Sequence, residues 1–286
     1  MIRPPVHVQI VHGSGDVDFL RNFLVPSLKE ATTLPVHLWT LAYDGSTGND
    51  LLNAGLPVTV VDAVGPMPMG FGAGHNRMFR IRGTNDDFVI LNPDCVLFPE
   101  SIDRLLKRRS ETDGIGIVEG RQWPFEHPKE YDEHTGRTPW ASGAFALISG
   151  PVFDRVQGFD EAFFLYLEDV DLSWRVWLAG YEVLYEPKAV AMHFSGGPFY
   201  RPDIRSAEEY FGARNFLLLL WKHFGSAELQ RGIAMILSEF PGAQSDQIIS
   251  DFERDLRCRI PAPVVPVKHR QIKVLGFNRF HELRPT

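Results

Sequence analysis

The apolar and polar positions of residues 1–200 fall into short apolar runs separated by stretches of helical period. Val6 to Val11 is apolar apart from His7 and Gln9 and is broken by Gly13-Ser14-Gly15, the pattern of a strand running into a loop. Phe19, Leu20, Phe23, Leu24 and Leu28 recur at helical spacing up to Thr32-Thr33 and Pro35. Val36 to Ala42 predicts a second strand ending in Tyr43-Asp44-Gly45-Ser46-Thr47. Leu51-Leu52 predicts a short helix and Val58 to Val61 a third strand. Strands alternating with helices predict an α/β fold, a mostly parallel sheet flanked by helices on both faces. Ligands of such sheets sit beyond the carboxyl ends of the strands, which makes the loops at His12 to Asp16 and Tyr43 to Gly48 first candidates.

Gly70-Phe71-Gly72-Ala73-Gly74-His75-Asn76-Arg77 precedes helical positions at Met78, Phe79 and Ile81. Backbone amides at such a helix start, with Arg77, suit a phosphate, and a flexible turn suits the composition equally. Asp87 to Leu91 predicts a buried strand running into Asn92-Pro93-Asp94-Cys95, which fits either a hard-cation site or a plain turn. Ser101 to Arg108 is helical and Gly116 to Val118 a strand, and Gly120 to Pro139 is polar and lid-like. Trp140 to Ile148 predicts another strand and Val152-Phe153 a short helix. In a helix over Glu168 to Ala179, Val170, Trp174, Trp177 and Leu178 share a face, and Glu168, Asp169 and Asp171 crowd the first turn. Such acids either cap the helix or form a site. Tyr181 to Tyr185 and Ala189 to Met192 are strand-like, ending at His193. Residues 201–286 read as a helical extension from Ser206, then, beyond Pro261-Ala262-Pro263, a basic irregular tail with Lys268, His269, Arg270, Lys273, Arg279 and Arg284.

Over 286 residues the net charge is −7, which argues against general nucleic-acid binding. Cys95 and Cys258 are the only cysteines, too few for a disulfide framework or a zinc knuckle. Met1 to Pro5 lacks a signal-peptide pattern, and the longest apolar run, Phe216 to Trp221, falls far short of the ~20 residues of a membrane span. The expectation is a reducing, cytoplasmic setting. Basic residues near Leu-rich helices leave room for contact with the inner face of a membrane, or for a homodimer.

With these pieces in order, the chain resembles the family 2 glycosyltransferases of GT-A fold, in particular the rhamnosyltransferase-like bacterial members. The resemblance spans roughly residues 6–224. It rests on Gly70 to Arg77, on Leu91-Asn92-Pro93-Asp94, and on Gly158-Phe159-Asp160-Glu161 followed by Phe164 to Leu172, with Ala179-Gly180-Tyr181, His193 and Ala213-Arg214-Asn215 also fitting. It implies an inverting enzyme that moves a sugar from a nucleoside-diphosphate-sugar, possibilities including a dTDP-rhamnose-like donor, to a hydroxyl of a glycan, lipid-linked or small-molecule acceptor. It implies Asp169 as general base and Glu168, Trp140, Ser142 and Gly143 at the acceptor. His12, Asp44, Gly72, Asn76, Arg77 and Asn92 fall on the donor side. Asp94 and His193 would hold a divalent metal, Mg²⁺ or Mn²⁺. Asp171 reads as structural.

There are departures. His12-Gly13-Ser14 stands where the family has Thr-Tyr-Asn or similar, and Tyr43 stands where the family aspartate recognises the base. Asn92 replaces the first aspartate of the metal motif. Thymidine, uridine and guanosine donors all stay open. The alternative reading is a non-catalytic sugar-nucleotide or glycan-binding protein on the same scaffold. A glycoside hydrolase, which needs two facing carboxylates, leaves Asp94 and the glycine-rich stretch without a role.

Overall fold

The computed structural model describes residues 4–46, 51–52, 55–127, 130–194, 202–240, 242–261 and 272–281. Gly48, the boundary between 200 and 201, the breaker at Ala262-Pro263, and Lys268, His269, Arg270 and Arg284 lie outside the described residues.

Eight strands form one sheet: β1 Val6–His12, β2 Val36–Ala42, β3 Val58–Val61, β4 Phe88–Leu91, β5 Cys95–Leu97, β6 Ile115–Trp123, β7 Phe145–Ile148 and β8 Glu182–His193. Their order is β3-β2-β1-β4-β7-β6-β8-β5. All are parallel except β7, antiparallel to β4 and β6, and β5, antiparallel to β8. The expected mixed, mostly parallel sheet is present. All seven residues of β1 are buried, as a central parallel strand requires. Its alternate faces meet different partners. Val6, Val8 and Ile10 pack under α2 (Val25–Ala31), which follows α1 (Val17–Phe19) after a π turn. On the other face the Gln9 side-chain oxygen lies 3.2 Å from Nδ1 of His75 in α3 (Phe71–Arg82), so the polar interruption of this strand has a partner.

Several boundaries differ from expectation. The helix α3 begins at Phe71 and contains the glycines. A Cβ on Gly72 would lie 2.7 Å from Phe159, and one on Gly74 would lie 2.6 Å from Val11, so glycine lets this helix sit close on the sheet. β6 continues through Gly120 to Trp123, and β7 starts only at Phe145. The two apolar stretches before His193 form one strand, β8. The basic tail is not irregular throughout, because β9 (Lys273–Gly276) and β10 (Arg279–His281) form an antiparallel hairpin.

Helices α4 (Ser101–Arg109) and α5 (Gly150–Arg155) complete the layers around the sheet. α6 (Glu168–Leu178) is buried on more sides than one stripe: Val170, Asp171, Leu172, Ser173, Trp174 and Val176 are all interior, whereas Leu178 is 46% exposed. The reason is a second core. α7 (Pro202–Phe224), α8 (Ser226–Glu239), α9 (Ala243–Asp251) and the hairpin pack on the Val170–Trp174 side of α6, and the sheet takes Leu172 and Val176.

Candidate active site

A cavity of about 420 Å³ opens at the carboxyl ends of β4 and β6. It is bordered by Asn92, Trp140, Ser142, Gly143, Glu168, Asp169 and His193, seven positions singled out from sequence. Phe71, Gln122, Tyr166 and the Phe125-Glu126-His127 segment add to its walls.

The acidic pair is set by a strained turn. Tyr166 and Leu167 both have positive φ, 69° and 68°, conformations that cost roughly 1–3 kcal/mol each for residues with a side chain. Asn215 of α7 holds that turn: its amide donates to the carbonyls of Leu165 (2.8 Å) and Tyr166 (2.7 Å). Arg214, 3.2–3.3 Å from the Asn215 oxygen, fixes which way the amide points. The next residue, Glu168, is buried and Asp169 half-buried. Asp169 accepts hydrogen bonds from the backbone N–H groups of Gly143 (2.9 Å) and Val170 (2.8 Å), donors that favour a carboxylate. Burial, and then the charge of Asp169, push the Glu168 carboxyl well up.

One turn further, Asp171 is fully enclosed. Arg175 (2.7 Å), Lys222 (2.7 Å) and His223 (2.8 Å) surround it. Burial alone would raise its carboxyl; Arg175, the His223 hydrogen bond and Lys222 outweigh that and hold it well below the usual range. Lys222 also reaches Asp160 at 2.6 Å, so this ion cluster fastens α7 to α6.

At another edge of the cavity, β5 pairs with β8 in a register that sets Cys95 opposite His193 and brings Asp94 beside the histidine. Asp94 Oδ1 lies 3.3 Å from His193 Nε2. His193 Nδ1 donates to Gln122 Oε1 at 2.8 Å, which leaves Nε2 facing Asp94.

No protein-family model matches the chain. The rhamnosyltransferase WbbL of Escherichia coli K12 is 26% identical over 44% of this chain and 61% of its own length. The N-acetylglucosaminyl-diphospho-decaprenol L-rhamnosyltransferase of Mycobacterium tuberculosis is 31% identical over 61% of this chain and 71% of its own length. The chain belongs to the rhamnosyltransferase-like glycosyltransferases. Its GT-A fold is shared with a Pyrobaculum calidifontis mannosyltransferase solved with GDP-Man and Mn²⁺ (TM-score 0.56, 14% identity, 87% of this chain and 79% of that one). GalNAc-T7 with UDP, GalNAc and Mn²⁺ gives a TM-score of 0.60 at 12% identity, over 87% of this chain and 54% of that one.

In this glycosyltransferase Asp94, Cys95 and His193 lie near enough to one another to hold a cation. The Asp94 carboxylate and the His193 imidazole suit a hard metal that tolerates nitrogen, and Gln122 orients the ring from behind. Cys95 lies within the same cluster, but its thiol is fully buried and directed at the Ala144 carbonyl, and burial pushes its pKa well up.

The donor-side residues are placed less uniformly. Asn92 lines the cavity. Asp44 accepts from the Ser14 and Ser46 backbone N–H groups at 2.8 and 3.0 Å, tying the loops after β1 and β2 together. Ser46 first, then Ser14, holds its carboxyl well below the usual range. His12 is fully buried, its Nδ1 3.0 Å from the Gly13 carbonyl. Asn76 is committed to the Phe159 backbone, donating to its carbonyl (2.8 Å) and accepting from its N–H (2.9 Å). Gly72 is packed on Phe159, and Arg77 donates to the Asp62 carbonyl at 2.6 Å. The expected phosphate-facing amides are also engaged: Phe71 N–H meets the Phe164 carbonyl and Gly74 N–H the Gly70 carbonyl. The glycine-rich stretch seats the loop before α6, with Gly72 and Asn76 engaged on Phe159, while His12 Nε2 is enclosed and meets no hydrogen-bond partner among the described residues. Sequence reasoning missed Gln122 and the positioning role of Asn215. Gln122 falls within a stretch read as a lid, and its alternation with exposed Arg121 and Trp123 is the signal that marks a strand.

Proposed function

We propose that this glycosyltransferase transfers a sugar, with inversion, from a nucleoside-diphosphate donor of the dTDP-rhamnose kind to a hydroxyl of a glycan or lipid-linked acceptor. The observation that carries the reading is one cavity bordered both by Asp169, beside Glu168, and by His193 with Asp94 at its side. The rhamnosyl donor is supported by the names of both relatives, and the lipid-linked acceptor by that of the mycobacterial one.

In this reading the acceptor oxygen attacks the anomeric carbon of the donor while Asp169 takes its proton. The bond from that carbon to the diphosphate oxygen breaks, and the nucleoside diphosphate leaves with the electron pair. Gly143 and Val170 hold the Asp169 carboxylate by one N–H on each oxygen, which fixes its orientation. Asp94 and His193 would hold Mg²⁺ or Mn²⁺, whose charge offsets that of the diphosphate. Asn92 and Asp44 flank the donor side.

The test is Asp169→Asn. With dTDP-rhamnose and a prenyl-diphosphate-linked N-acetylglucosamine, kcat falls by about 10²- to 10⁴-fold, the usual contribution of a general base, and donor KM changes little. Transfer at the wild-type rate by D169N excludes Asp169 as the base.

A further inference from the structure

The reaction just described leaves one wall of the cavity without a role. That wall comes from the far C-terminal hairpin: Asn278 at its turn and Phe280 on β10, with Gly212 of α7 beside them. Asn278 has φ 51°, a turn conformation that asparagine tolerates better than most residues. Its side-chain oxygen is enclosed and meets no hydrogen-bond partner among the described residues. Oε2 of Glu168, a residue that lines the same cavity, is also enclosed and meets no partner among the described residues. Buried polar atoms are nearly always paired, so these two oxygens belong to side chains that gain a partner by turning toward a ligand in the cavity.

The hairpin is firmly seated. Phe280 meets Trp174 edge-on at 5.3 Å, on the helix that carries Asp169. Phe277 packs against Phe216 at 5.4 Å and Phe240 at 5.3 Å. Asn278 is thus held in fixed relation to the acidic pair. Phe71, Trp140 and Phe280 add aromatic surface. A ligand with an apolar face and a hydroxyl-bearing edge matches this lining.

We propose that Asn278 is an acceptor-specificity residue: its carboxamide, together with Glu168, binds adjacent hydroxyls of a pyranose acceptor lying against the aromatic wall. A carboxyl and a carboxamide lining one cavity can between them donate to and accept from hydroxyls. A sugar hydroxyl can do both. The inference rests on the glycosyl-transfer reading and adds to it a residue that selects the acceptor.

Asn278→Gly is the variant of choice, because glycine keeps the positive φ while deleting the side chain. Wild type and N278G are assayed with dTDP-rhamnose, a panel of octyl pyranosides that includes the N-acetylglucosaminide, and the prenyl-diphosphate-linked N-acetylglucosamine. The expected result is an acceptor KM at least tenfold higher in N278G, a donor KM within twofold, and an unchanged Tm. A site built to bond a hydroxyl loses discrimination when its partner is removed, so N278G should also prefer its best pyranoside less sharply over the deoxy analogue. An acceptor KM within twofold of wild type overturns the role of Asn278. A wild type that transfers to none of these pyranosyl acceptors but does transfer to a non-sugar alcohol overturns the acceptor class. A wild type that neither transfers nor hydrolyses any nucleotide sugar overturns the reading beneath it.

Discussion

Asp171→Asn probes the ion cluster that fastens the acidic helix to the C-terminal helices. The carboxylate is fully enclosed and receives Arg175, Lys222 and His223 within 2.8 Å. Asparagine keeps the shape and one acceptor oxygen but removes the charge. Breaking a buried ion pair by neutralising one partner costs about 3–5 kcal/mol. Lys222 retains Asp160, and Arg175 retains the Val156 carbonyl at 2.6 Å, which points to the lower end, about 3 kcal/mol. At about 2–4 °C per kcal/mol for a domain of this order of size, Tm should fall by about 6–12 °C at pH 7. The pH dependence gives a second check. The folded carboxyl titrates far below an unfolded aspartate, near pH 3.9, so its stabilisation is complete above that pH and fades as pH falls through it toward the folded value. The Tm gap between wild type and D171N should therefore be full at pH 7 and narrow below about pH 4. Thermal melts of both proteins between pH 3 and 7 measure it. A fall of less than 2 °C at pH 7, or a gap that widens on acidification, refutes the reasoning.

Two further outcomes follow from the site. Asn215→Ala leaves the Leu165 and Tyr166 carbonyls without their donor and lets the positive-φ turn before Glu168 relax. Each unpaired buried group costs about 1–3 kcal/mol, and kcat should drop by about tenfold or more with little change in donor KM; kcat equal to wild type in N215A shows that the clamp is dispensable. Asp94→Ala should abolish the extra Tm that Mn²⁺ gives to the wild type in the presence of dTDP, and an identical Mn²⁺-dependent shift in D94A removes Asp94 from the metal site.

What could be read from the chain follows burial. β2 lies where its apolar run puts it, because a strand buried on both faces tolerates few polar residues. The half-buried edge strand β3 is marked off by Gly55 and Pro57 before it and Gly65-Pro66 after it. Asp94, His193 and the Glu168-Asp169 start of α6 were legible as acids and an imidazole at element ends, and the fold brings Glu168, Asp169 and His193 to one cavity with Asp94 beside the histidine. The glycine-rich stretch was misjudged because glycine disfavours helix on its own; the helix there is sustained by close packing on Val11 and Phe159, which only the tertiary structure supplies. Leu178 was assigned to the buried face by periodicity, but the second core lies on the Val170–Trp174 side and leaves it in solvent. Asn215 and Asn278 act across long sequence separations, and no local pattern reports that.

The placement of Asn278 and Phe280 bears on how the protein is made. The strands β1 to β4 can pair as soon as residue 91 has emerged, and Asp94, Asp169 and His193 all precede α7. The hairpin that closes the cavity is synthesised after all of them. Domains tend to fold from the N-terminus during synthesis, so a nascent chain halted after α9 would carry the acids and the histidine but an open acceptor side. Of the described residues that line the cavity, Asn278 and Phe280 are the last to be made.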